Sequence, residues 1–153
     1  MEQLARADRY LTKLAYAYEG IQTSSATFSI DQPKDDCISF FMHCYHVKDW
    51  LIALYGNKKE IEAFINSNEE LRICADICNG AKHYRITGEL RSGAHQKVEL
   101  DTVKSSTWLT GNGGFEVHQC KFSVVSEGTV FDALQLANKC MELWRSYIAT
   151  IKS

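Results

Sequence analysis

The hydrophobic period of this chain changes twice, near Tyr84 and near Thr129, and those changes limit the folds open to it. Up to Tyr84 apolar residues recur every three or four positions, the spacing of a helix face. From Arg85 to Glu127 they alternate, as in RITGEL and HQKVEL, among most of the chain's nine glycines. After Thr129 helical spacing returns, with Phe131, Leu134, Ala137, Met141, Trp144, Ile148 and Ile151 in register. The order predicts an α+β, mainly α fold in one domain over 1–153: a helical bundle with an antiparallel β-arm inserted before the C-terminal helix.

Local signals set the expected boundaries. Helices are predicted at about 4–20, 37–55, 58–65, 69–84 and 130–151, with the β insertion at about 85–127. Gly20 stops the first helix, and the stretch TSSATFSIDQPKDD, which holds the only proline (Pro33), reads as a loop. Asp35 or Asp36 caps the second helix and Gly56-Asn57 ends it. That helix has two apolar faces, so it is expected to run through the centre of the fold, with Trp50 and Trp144 as core anchors. Phe115–Val125 is the clearest strand, preceded by the turn signal GNGG.

A hydrophobic content of 45% in 153 residues is enough for a proper core. The net charge of −2 excludes a global field that draws the chain to nucleic acid or anionic membrane, so any such contact is local. MEQLARADRY has no apolar signal-peptide core, and no apolar run approaches the ~20 residues of a spanning helix. Six cysteines fall mostly at apolar helix positions without a secretion signal. The expectation is a cytoplasmic protein with reduced, buried thiols and no membrane partner.

The segment Leu71–Tyr84 carries two stripes. Leu71, Cys74, Cys78 and Ala81 form an apolar face; Arg72, Asp76, Asn79 and His83 form a polar one. If both helices share one bundle, His43, His46 and Asp49 face His83, Asn79 and Asp76, and a histidine beside a carboxylate is a tunable acid–base pair. A purely structural reading stands beside it, in which Asp49 and Asp76 satisfy His46 and His83 within the packing.

The frame Cys78-Asn79-Gly80-Ala81-Lys82-His83 resembles the Arg-x4-His motif of HEPN (higher eukaryotes and prokaryotes nucleotide-binding) domains. The resemblance covers about 1–84 and 129–153. It implies a helical bundle, a homodimer, and a metal-independent ribonuclease or a catalytically degenerate relative acting on RNA or a nucleotide. In that frame His83 is the acid–base residue, Asn79 orients substrate or imidazole, and Lys82 contacts phosphate. Asp76, Arg72, His46 and Asp49 support them. Cys78 stands where the family has arginine, and a thiol cannot offer the bidentate contact of a guanidinium. Arg72 lies about 16 Å from His83 along the helix, so it reaches that histidine only across an antiparallel dimer. Small proteins of this type resemble accessory components of phage–host conflict or toxin–antitoxin systems.

Three further features complete the reading. His43-x2-His46-x2-Asp49 offers possible metal ligands, although helical sites more often use His at i and i+4; no paired C-x2-C occurs. The site needs neither metal nor other cofactor. Lys82, Arg85, Arg91, Lys97, Lys104 and Lys121, with His95, His118, Trp108 and Phe115, suit a cationic, aromatic arm, and nearby carboxylates nearly balance their charge. A different class of function fits the same pattern: a non-catalytic dimerisation or protein-interaction module, with the polar stripe as a buried specificity network.

Overall fold

Gln3, Ala7, Leu14 and Ala17 line the buried face of α1 (Glu2–Glu19), and their spacing explains why the segment coils. The computed structural model describes residues 1–23, 28–82, 90–111, 113–126 and 128–151. After α1 come β1 (Ile21–Thr23), α2 (Asp31–Tyr45), α3 (Val47–Tyr55), α4 (Lys58–Ser67) and α5 (Glu69–Lys82). The long hairpin β2 (Gln96–Thr110) and β3 (Gly113–Ser126) follows, then β4 (Thr129–Asp132) and α6 (Ala133–Ile151). The architecture is α+β and mainly α, with strands preceding the C-terminal helix. Among the described residues no helix is long and apolar enough to cross a membrane.

The core joins the helices to one face of the sheet. Phe40, Phe41 and Cys44 of α2, Ile73 and Cys74 of α5, and Met141 and Trp144 of α6 are completely or almost completely buried. The sheet adds Cys120, Phe122 and Val124, alternate residues of β3 that share a face because strand side chains alternate. β3 is the central strand. β2 pairs with it antiparallel along nearly its whole length, with a register shift between Leu100 and Thr102. On its other edge β1 pairs at 116–118 and β4 at 123–126. Gly20 makes the first of these pairings possible: its φ is +137°, and a Cβ there would stand 2.6 Å from Val117 Cγ1.

Three boundaries of the long helices differ from the expected ones. The second helix begins at Asp31, not Cys37, and Pro33 sits in its first turn, where the missing N–H has no intrahelical partner. It also does not run unbroken to Tyr55. His46 separates α2 from α3, and its carbonyl accepts from Asp49 N at 3.2 Å. Trp50 is consequently not a core anchor: it is 36% exposed, with the Arg6 guanidinium over its ring at 6.0 Å. The last helix begins at Ala133, not 130, because Thr129–Asp132 joins the sheet and Asp132 Oδ1 accepts from Gln135 N at 2.8 Å as its cap. Trp144 is fully buried as expected, and all six cysteines are buried free thiols.

Candidate functional site at the junction of α2, α3 and α5

The break between α2 and α3 places His46 at a corner, facing α5. Its Nδ1 lies 2.7 Å from Asp49 Oδ2, and its Nε2 lies 3.8 Å from Cys78 Sγ on α5. The carboxylate thus fixes the orientation of the ring while the other nitrogen meets the Cys78 thiol. The side chains of His46 and Asp49 are 31% and 51% exposed, so solvent and solutes reach this pair. Cys78 is buried beneath it. An accessible imidazole held by a carboxylate is equipped to move protons.

α5 runs unbroken through Gly80 to Lys82, and Asn79 is half-buried on it. His83 and the side chain of Lys82 lie outside the described residues. Asp76 is only 2% exposed, and its carboxylate is taken up by the loop before β2. It accepts from Arg91 N at 3.0 Å, Ser92 N at 2.8 Å and Ser92 Oγ at 2.5 Å. Charge-assisted bonds of this kind are the strong ones, so Asp76 holds the start of the β-arm against α5. Arg72 Nη1 donates to Asn66 O at 3.1 Å, which turns its guanidinium toward α4.

His43 does not join His46. Gln3 Nε2 lies 3.2 Å from its Nδ1 and donates to its carbonyl at 2.9 Å, and the ring stacks on Tyr10 at 5.0 Å. Burial, the Arg6 guanidinium, His46 and Arg9 all hold its pKa below the usual histidine value. His43 and His46 therefore serve different surfaces of α2. Among the described residues the one cluster of three metal-ligating side chains is Cys44, Cys74 and Cys140, not the His43, His46 and Asp49 set.

The cations of the β-arm divide into committed and free. Arg91 pairs with Glu62 at 2.7 Å and lies over the Tyr45 ring, and Lys97 pairs with Glu99. His118 is buried, with Ser105 Oγ 2.8 Å from Nδ1, Glu116 Oε2 3.2 Å from Nε2, and Phe28 stacked on its ring at 4.0 Å. Lys104 and Lys121 form no ion pair with a described residue. They line a cavity of about 390 Å³ together with Tyr18, Asp101, Thr102 and Gln119. The register sets this arrangement: Thr102 pairs with Lys121 and Lys104 with Gln119, so all four side chains leave the same face. Two lysines against one carboxylate make the cavity cationic. It lies far from His46: Gln3 and Tyr18 mark opposite ends of α1, about 22 Å apart.

The His46–Cys78 contact and the Lys104–Lys121 pair are the features that sequence reasoning missed. The first depends on a helix break without Gly or Pro, and the second on a strand register. No family model, no curated protein and no solved structure matches the chain.

Proposed function

We propose that this chain is a HEPN-like, cytoplasmic protein directed at RNA or a nucleotide, acting as a homodimer. It is a metal-independent ribonuclease or a catalytically degenerate relative of one. The observation that carries this reading is the contact between His46 and Cys78, with Asp49 on the other side of the ring. Where the motif calls for arginine, this chain presents an oriented imidazole, which can supply both a proton and a positive charge to a scissile phosphate. Asn79 then positions substrate one residue along α5, and His83 is the second acid–base residue. The cationic cavity at Lys104 and Lys121 fits a more distant phosphate contact. A role in phage–host conflict accords with this class.

The test is incubation of the purified protein with mixed RNA, with and without chelator, beside His46→Ala and His83→Ala variants. Cleavage that resists chelator and falls by about a hundredfold or more in each variant is expected for a ribonuclease. Equal cleavage by the variants and the wild type would contradict the assignment of both residues.

A second reading, a non-catalytic interaction module, is favoured by the commitment of Asp76 and Arg72 to structural partners and by the exposed tip of the β-arm. There Trp108 is 58% exposed and stacks on Phe115 beside the more exposed Leu109. Under that reading the arm meets a protein partner and RNA is left unbound.

A further inference from the structure

Three helices bring one cysteine each to a single point in the core. The Sγ atoms of Cys44 (α2), Cys74 (α5) and Cys140 (α6) all lie within 4.8 Å of one another, and all three residues are fully buried. The sequence separates them widely, so only the packing of the helices gathers them. Beside them the Trp144 Nε1–H is buried without a hydrogen-bond partner of normal geometry. An unpaired buried donor is costly unless an electron-rich group takes it up.

We infer that Cys44, Cys74 and Cys140 form a three-sulfur site for a soft monovalent cation, copper(I), with the Trp144 indole N–H directed at its sulfur shell. Three considerations lead there. Thiolate and thiol sulfur select soft ions over hard ones. With metal–sulfur bonds of about 2.3 Å, three sulfurs in a trigonal plane stand about 4 Å apart, close to the spacing already present. No fourth His, Cys, Asp or Glu joins the cluster among the described residues, which suits a three-coordinate ion better than tetrahedral zinc.

Charge balance points the same way. Cys74 and Cys140 are fully buried thiols whose S–H groups have main-chain acceptors, so Cys44 is the ligand that gives up its proton on binding. Those acceptors are Phe41 O, 3.3 Å from the Cys74 sulfur, and Glu70 O, 3.4 Å from the Cys140 sulfur. One anionic sulfur in a dry core is neutralised by one monovalent cation, whereas a lone buried charge is strongly disfavoured. Binding releases the Cys44 proton to solvent, and no electron is transferred. Entry requires a local opening of the helices, so loading is expected to be slow.

The experiment is an anaerobic titration of the reduced full-length chain with copper(I), held in competition with a chromogenic copper(I) chelator. It is read by sulfur-to-metal charge-transfer absorption and by X-ray absorption at the copper edge. The expected result is one equivalent withheld from the chelator, three sulfur neighbours, and a raised melting temperature. A Cys37→Ser/Cys120→Ser double variant keeps that equivalent. Cys44→Ser loses it, and Trp144→Phe weakens it by about tenfold through loss of the N–H donor. Circular dichroism confirms that each variant is folded before its binding is read. Copper left wholly with the chelator by the wild type, a two-sulfur linear spectrum, or binding undiminished in folded Cys44→Ser would each overturn the site. Retention of zinc but not copper(I) would overturn the choice of ion.

Discussion

The Tyr18 hydroxyl is hydrogen-bonded to both backbone groups of Phe122: it donates to the carbonyl at 2.8 Å and accepts from the N–H at 3.1 Å. Phe122 lies on the stretch of β3 between the segments paired with β1 and β4. A phenol from α1 therefore does the work of a missing strand residue, and Gln119 Nε2 donating to Glu19 O at 3.0 Å closes the same gap. This relationship fixes the first helix to the sheet.

Tyr18→Phe leaves a buried donor and acceptor without partners and is expected to cost about 1 to 3 kcal/mol in urea unfolding. The native phenol also carries a pH signature. Burial is the largest influence and raises its pKa from 10.0 to about 12. The folded state thus keeps its proton where the unfolded state has released it, so this stabilisation is complete below pH 10.0 and lost as pH rises toward 12. The alkaline loss is expected in the wild type and reduced in Tyr18→Phe. Identical alkaline profiles would contradict the role given to the hydroxyl.

Asp76→Ala removes the acceptor of three bonds from Arg91 and Ser92. The expected cost is about 2 to 3 kcal/mol, as for hydrogen bonds to a charged group. Faster hydrogen exchange at the Arg91 and Ser92 amides should accompany it, with α1 unaffected. Unchanged exchange at those two amides would show that the loop is held by other contacts.

Lys104→Gln combined with Lys121→Gln should weaken binding of single-stranded RNA without regard to sequence. It should also lower the slope of log K against log salt by about 1.4, the counterion release of two phosphate contacts. The readout is fluorescence anisotropy over a salt series. An unaltered slope would remove the cationic cavity from the RNA path.

The elements legible in the sequence were those whose periodicity and punctuation agree. α1 ends at Gly20, α4 ends near Asn68, and β3 follows a glycine turn with strict alternation. The start of α2 was hidden because Pro33 reads as loop punctuation, although a first helical turn tolerates it. β4 was hidden because Phe131 suits the spacing of α6 as well as a strand, and β1 has only three residues. Asp132 was an available cap signal for the later start of α6. At the candidate site, the pairing of His46 with Asp49 was legible from their i, i+3 spacing. The approach of Cys78 to His46 was not, since it depends on how α5 crosses the corner between α2 and α3. The convergence of Cys44, Cys74 and Cys140 is of the same kind: burial is written in each helix, but the meeting point is set by tertiary packing.

The most direct measurement of the central claim is titration of a short RNA into protein carrying 15N-labelled histidine, followed by the imidazole resonances. The account predicts that the His46 signals shift in a saturable manner, that the shift is lost in Asp49→Asn, and that His43 and the buried His118 stay in place. Saturable RNA binding that leaves the His46 ring unperturbed, or no binding at all, would contradict it.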